Sequence, residues 1–136
     1  MTILDRIGVA VLSATAVVAA FLELFTVPLY SGATLVPITV LFAIATNVAL
    51  PLLARQLMPR GKAAIAPYVA WLLVIVVLFL FPRPEGDVIV PGGGGVELVG
   101  LGVLFGGGVA GAFATALSAP RPPAKAAPRK VSTGGS

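Results

Sequence analysis

Four long apolar stretches that carry almost no charge limit what this chain can fold into. They cover residues 7–25, 36–57, 63–81 and 98–118 of the 136-residue sequence. The hydrocarbon core of a bilayer is ~30 Å thick, and a helix needs roughly 20 apolar residues to cross it. A lone strand at that depth would leave its backbone groups without hydrogen bonds, so helices are favoured. The pattern predicts an all-α membrane protein, a bundle of four transmembrane helices.

The composition agrees with this class. Hydrophobic residues make up 58% of the chain and charged residues only 10%, whereas about a quarter of a typical soluble domain is charged. So few polar side chains cannot cover a surface that faces water. We therefore expect the lipid bilayer to surround a transmembrane domain of residues 1–118.

The basic residues lie almost entirely on one side of the predicted spans. Lys and Arg are retained on the cytoplasmic side of a membrane, so the pattern predicts that both termini are cytoplasmic. The protein would then be a multi-pass protein of a bacterial plasma (inner) membrane. Eight basic residues share that side: Arg6, Arg55, Arg60, Lys62, Arg121, Lys125, Arg129 and Lys130. An external loop holds the remaining one, Arg83, together with Glu85 and Asp87.

Residues 119–136 differ from the rest of the chain, since they are rich in proline, small residues and bases. Such a composition cannot form a packed core, and it predicts a disordered cytoplasmic tail. The tail either contacts anionic lipid headgroups, at ~1 kcal/mol per base, or only anchors the topology. Because the net charge of +4 comes from bases beside the spans, no nucleic-acid partner is expected.

The chemical repertoire of the chain is small. It has no cysteine and no histidine, which excludes disulfides and thiolate metal sites and removes the commonest general base and metal ligand. We expect no catalytic residue, no cofactor and no metal, and a protein that is not an enzyme.

A glycine motif in the fourth span has two interpretations. Gly106, Gly108 and Gly111 match the G-x-G-x-x-G spacing of dinucleotide sites, but such a site follows a strand and needs an acid about 20 residues later. No acid follows Glu97. The same stretch contains two small-xxx-small pairs, which let transmembrane helices approach closely. Helix packing is therefore predicted for Gly102, Gly106, Gly107 and Gly111.

Two polar residues within the spans are candidates for function, Glu23 and Asn47. Glu23 lies about five residues from the outer end of its span, on the order of 8 Å deep. An ionisable group there is a candidate for a substrate or proton path, although its carboxylate could also reach the headgroup layer or cap a backbone. For Asn47 we expect a hydrogen bond between helices, worth ~1 kcal/mol. Tyr68 and Trp71 are interpreted as packing or anchoring groups.

The glutamate in the first span and the glycine-rich fourth span resemble the small multidrug-resistance antiporters, which are also short four-helix proteins. This resemblance implies a coupling role for Glu23. The loop of residues 82–97 and the tail depart from that family's pattern.

A second resemblance covers more of the chain. The segments "LELFTVPLYSGATLVPITVLFAIATN" and "RPEGDVIVPG", with Pro67 and Trp71 between them, are similar to small four-span membrane proteins of high-GC, actinobacterial-type bacteria. That family has no established activity, and some members carry a label as facilitative sugar transporters. The resemblance implies an external surface shared by "PLYSG" and "RPEGD".

Two functions are expected from these observations. The first is a non-enzymatic accessory or structural membrane protein that packs through its glycine-rich fourth helix, in a homo-oligomer or a larger membrane complex. The second is a small oligomeric transporter, multidrug-resistance-like or facilitative, with Glu23 as the coupling group.

Overall fold

The computed structural model describes residues 2–27, 29–31, 34–58, 62–80 and 94–118. Its helices are α1 (Ile3–Phe25), α2 (Ile38–Leu57), a 3-10 turn (Lys62–Ile65), α3 (Ala66–Leu80), α4 (Gly94–Gly102), a π-helical turn (Val103–Gly107) and α5 (Gly108–Leu117). The last three run on without a break, and we call them together the fourth helix. The predicted helical class is confirmed.

Helix α1 begins before the predicted span. Thr2 and Asp5 form a capping box, in which the Thr2 amide donates to Asp5 Oδ2 (2.8 Å) and the Asp5 amide donates to Thr2 Oγ1 (3.2 Å). A capping box satisfies two backbone donors that the first turn leaves without partners. The helix therefore starts at Ile3 instead of residue 7.

A short antiparallel hairpin connects α1 to α2. Strands β1 (Tyr30–Ser31) and β2 (Thr34–Leu35) pair with Ser31 opposite Thr34. The buried hydroxyl of Thr39, at the beginning of α2, donates to the carbonyl of Thr26 at 3.0 Å. The hairpin also lies beside the start of the fourth helix, since a Cβ on Gly95 would be 2.9 Å from Leu35 Cδ2.

Helix α1 packs along α2 and α3, and α2 packs along the fourth helix. At the other end of the bundle the start of α1 meets the end of α2, where Leu57 Cδ1 would lie 2.7 Å from a Cβ on Gly8. Small residues occupy the centre on α1 and α2, and larger side chains on α3 fill the space between. The core contains Ala16, Ala20, Ala43, Trp71 and Ile75.

Three helices are long and apolar enough to cross a membrane: Ile3–Phe25, Ile38–Leu57 and Gly95–Leu117. The apolar helix at Ala63–Phe79 is shorter. The outward surface carries large apolar side chains, such as Phe105 and Phe113, each 64% exposed. The predicted tail (119–136) and the predicted external residues Arg83, Glu85 and Asp87 lie outside the described residues.

Candidate functional site

The side chain of Glu23 lies inside the bundle with 0% exposure. Its two carboxylate oxygens have different partners. The Thr46 hydroxyl of α2 donates to Oε1 at 2.8 Å, and the Trp71 indole N–H of α3 donates to Oε2 at 2.7 Å. One acid thus connects three helices, and we call Glu23, Thr46 and Trp71 the Glu23 cluster.

The carboxylate lies farther from the end of the bundle than the sequence suggested. Thr46 follows Ile38, the first residue of α2, by eight positions, which is about 12 Å along the helix. Side chains on a helix lean toward its N-terminus, so the carboxyl group of Glu23 reaches back from the last turn of α1. The carboxylate of Glu23 therefore neither reaches the headgroup layer nor caps a backbone, because its two oxygens accept hydrogen bonds from the side chains of Thr46 and Trp71.

The sequence interpretation missed Thr46. Its Oγ1 lies 2.8 Å from Glu23 Oε1, 3.0 Å from the Phe42 carbonyl oxygen and 3.2 Å from the Ala43 carbonyl oxygen. A threonine inside a span is not by itself a sign of a functional site, because its hydroxyl can donate to the backbone carbonyl one turn before it. Its position directly before Asn47, in the middle of an apolar span, was the available signal.

The ring of Trp71 occupies the space beside Gly107, where a side chain is missing. A Cβ on Gly107 would lie 2.7 Å from Cη2 and Cζ2 of the Trp71 ring and 3.3 Å from Ala43 Cβ. Real Cβ atoms do not approach a ring carbon so closely. The missing side chain at Gly107 therefore gives the indole its space, and the fourth helix supports the Glu23 cluster without touching the carboxylate.

A second aromatic side chain occupies the next glycine of the fourth helix. The ring of Tyr68 covers Gly111, so that a Cβ there would overlap ring atoms Cδ2 and Cε2. The hydroxyl of Tyr68 donates to the Gly108 carbonyl oxygen at 2.9 Å. Gly107 and Gly111 thus contact the rings of Trp71 and Tyr68 of α3.

The remaining predicted packing glycines face α2. A Cβ on Gly102 would lie 2.9 Å from Val40 Cγ2, and one on Gly106 would lie 3.4 Å from Ile44 Cδ1. Nothing lies within 4 Å of a Cβ on Gly108. The four glycines predicted to pack helices therefore lie against side chains of α2 and α3 of the same chain.

Asn47 makes a different hydrogen bond from the one expected. Its Nδ2 donates to the Ala43 carbonyl oxygen at 2.9 Å, one turn earlier in the same helix. The side chain is buried, and its Oδ1 would be 3.3 Å from a Cβ on Gly111. Asn47 therefore contacts the fourth helix by packing, and the predicted hydrogen bond between helices is wrong.

The Glu23 cluster offers one carboxylate and two neutral donors, which is chemistry suited to holding a proton or to joining helices. Among the residues that the structure describes, no group of three or more His, Cys, Asp or Glu side chains is placed to hold a metal ion.

No family model, curated protein or solved structure matches this chain. The resemblance to the four-span proteins of high-GC bacteria therefore stays a prediction, and a function has to be inferred from the geometry of the Glu23 cluster.

Proposed function

We propose that the chain is a four-span protein of a bacterial plasma membrane with both termini in the cytoplasm. The three long apolar helices support this, and so does the size of the remaining one. The 3-10 turn Lys62–Ile65 and α3 (Ala66–Leu80) together extend about 30 Å, at ~2.0 and ~1.5 Å per residue. That length matches the hydrocarbon core of a bilayer.

Within that membrane we propose a non-enzymatic accessory or structural role. The observation that carries this proposal is that both carboxylate oxygens of Glu23 are bonded by the chain's own side chains at 0% exposure. A buried polar network with all its partners present makes one helix arrangement specific. In this function Glu23 joins α1, α2 and α3 and does not meet a substrate.

The glycines support the same function. Val40, Ile44, Tyr68 and Trp71 of the same chain fill the positions beside the four predicted packing glycines. Helices in lipid are held by such close van der Waals contact. Association in a homo-oligomer or a larger membrane complex would then use the outward face of the fourth helix, where Phe105 and Phe113 are exposed.

The second candidate is a small oligomeric transporter, multidrug-resistance-like or facilitative, with Glu23 as its coupling group. One observation favours it. The carboxylate lies well inside the bundle and its bonded partners are neutral donors, and ionisable groups at such positions often mark ion or substrate paths.

Transport by purified protein in vesicles distinguishes the two functions. The probes are ethidium, taken up against an imposed proton gradient, and a radiolabelled hexose without a gradient. The structural function predicts no uptake above empty vesicles. It also predicts a less stable Glu23→Leu variant, because the buried Trp71 N–H would lose its acceptor. The transporter predicts uptake by the parent that disappears in the isosteric Glu23→Gln variant, with folding retained. Uptake by the parent would overturn the structural function.

A further inference from the structure

The Thr46 hydroxyl has more acceptors than hydrogens. One hydroxyl carries a single hydrogen and two lone pairs, yet Oγ1 lies within 3.2 Å of Glu23 Oε1 and of the carbonyl oxygens of Phe42 and Ala43. Thr46 can therefore donate to the carboxylate or to its own helix, without moving its oxygen.

The partner of the other carboxylate oxygen has no such choice. An indole N–H donates only, so Trp71 needs an acceptor at Oε2 whether Glu23 is charged or neutral. A proton added to Glu23 is therefore directed to Oε1, the oxygen that faces Thr46.

We propose that Glu23 Oε1 and Thr46 Oγ1 form a reversible proton-binding site in which Thr46 exchanges the donor role for the acceptor role. With Glu23 ionised, the Thr46 hydroxyl donates to Oε1. When Oε1 takes a proton, the new O–H donates to Thr46 Oγ1, and the Thr46 hydrogen turns to the Phe42 carbonyl oxygen. Trp71 donates to Oε2 in both states, so each state leaves every member with a partner.

Few other groups can influence this site. Thr46 on α2 and Trp71 on α3 contact the carboxyl group, and neither titrates in the ordinary range. Asn47 and Tyr68, the nearby polar side chains of α2 and α3, bond the carbonyls of Ala43 and Gly108. The other described charges on α1 and α2 are Asp5 and Arg6 at the start of α1 and Arg55 in the last turn of α2, at the opposite end of the bundle. On the fourth helix, Glu97 lies in the first turn and its side chain is exposed.

This inference goes beyond the proposed function, because a structural acid could remain in one protonation state throughout. The proton-binding site does not require transport. The vesicle assay tests the proposed function and the pH titration tests the proton-binding site, so either result can be negative while the other is positive.

Trp71 provides the test, because it is the only tryptophan in the chain and it bonds the titrating group. The experiment is a pH titration of tryptophan fluorescence on the full chain in detergent micelles. We expect one reversible single-proton transition in the parent. Glu23→Gln, which mimics the protonated carboxyl, should abolish it, whereas Asp5→Asn should retain it. A parent without the transition, or a Glu23→Gln variant that keeps it, would overturn the proposal.

The role of Thr46 is tested by two substitutions of similar size. Thr46→Ser keeps a hydroxyl and should keep the midpoint of the parent. Thr46→Val removes it, and the ionised carboxylate loses more than the neutral one, because hydrogen bonds to charged groups are stronger. We expect the midpoint to move to higher pH by about one unit, a tenfold change in proton affinity. Identical midpoints in both variants would contradict the exchange.

Infrared spectroscopy gives an independent measurement that does not depend on a folded Glu23→Gln variant. Protonated Glu23 should add a carboxylic C=O stretch at low pH, in step with the Trp71 transition. In Thr46→Val that band should move to higher frequency, as expected when the carboxyl O–H loses its acceptor. A band that stays in place in Thr46→Val would overturn the role given to Thr46.

Discussion

A Cβ atom on Gly107 would lie 2.7 Å from two ring carbons of Trp71, while the nitrogen of the same indole ring donates to Glu23 Oε2 at 2.7 Å. The glycine of the fourth helix and the acid of α1 are therefore connected through one rigid side chain of α3. Because an indole ring cannot bend, an atom added at Gly107 must move either the fourth helix or the donor of Glu23.

The first prediction concerns this contact. Gly107→Ala places a methyl group against the Trp71 ring, and overpacking of this kind lowers the free energy of unfolding by ~1–3 kcal/mol. We also expect the fluorescence maximum of Trp71 to shift, because the indole moves relative to Glu23. Unfolding in mixed detergent micelles, followed by circular dichroism, measures the stability.

Gly108→Ala is the matched control, one residue away. No heavy atom lies within 4 Å of its Cβ position, and alanine favours a helix over glycine by up to ~1 kcal/mol. This variant should be as stable as the parent or slightly more stable. Equal losses in the two variants would show that helix geometry, and not the Trp71 contact, determines the effect.

The second prediction concerns Gly111, which the Tyr68 ring covers. Gly111→Ala should be strongly destabilising, whereas Gly106→Ala should have little effect because its Cβ would lie at an ordinary 3.4 Å from Ile44. In a Tyr68→Ala background the effect of Gly111→Ala should become much smaller, since residues in contact are not additive. A Gly111→Ala effect that is independent of Tyr68 would contradict this contact.

The third prediction concerns the indole N–H. Trp71→Phe keeps a ring but leaves Glu23 Oε2 without its donor, and an unsatisfied buried group costs about 1–3 kcal/mol. The Glu23→Leu and Trp71→Phe double variant should lose less than the sum of the single variants. Tyr68→Phe is the control. Tyr68→Phe should lose less stability than Trp71→Phe, because the acceptor that loses its donor is the Gly108 carbonyl oxygen, which carries no charge and lies within a helix. Strict additivity in the double variant would argue against the Glu23–Trp71 bond.

Much of the helical architecture could be predicted from the sequence, because lipid imposes length and apolarity on any segment that crosses it. The ends were less predictable. The capping box of Thr2 and Asp5 extends α1 to Ile3, and the hairpin before α2 depends on backbone pairing that no periodicity encodes.

The candidate site was predictable only in part. Glu23 could be found because an acid is rare in an apolar span, but residue counting along α1 could not show which residues of α2 and α3 lie level with its carboxyl group. The glycine spacing predicted a close approach, yet small-xxx-small pairs accept a backbone or a ring equally well. Only the packing shows that Trp71 and Tyr68 occupy Gly107 and Gly111.

The fourth prediction concerns topology. The hairpin between α1 and α2 lies beside Gly95, at the beginning of the fourth helix, while Gly8 meets Leu57 at the other end of the bundle. The fourth helix therefore begins on the hairpin side of the bundle. Eight of the nine basic residues belong to the opposite side by their place in the sequence, and that side should be cytoplasmic.

A reporter enzyme that is active only in the cytoplasm should consequently be active when fused after Ser136 and inactive when inserted at Gly93. A reporter that is active only outside should give the reverse result at the same two positions. Replacing Arg55, Arg60 and Lys62 with glutamine removes three of the eight basic residues on the cytoplasmic side and should produce a mixed orientation. The orientation of a membrane protein depends on its Lys and Arg residues and hardly on its acids. Replacing Glu85 and Asp87 with their amides should therefore change nothing. Cytoplasmic activity at Gly93 in the parent, with none at Ser136, would reverse the proposed orientation. Activity of the same reporter at both positions would show that the fourth helix does not cross the membrane.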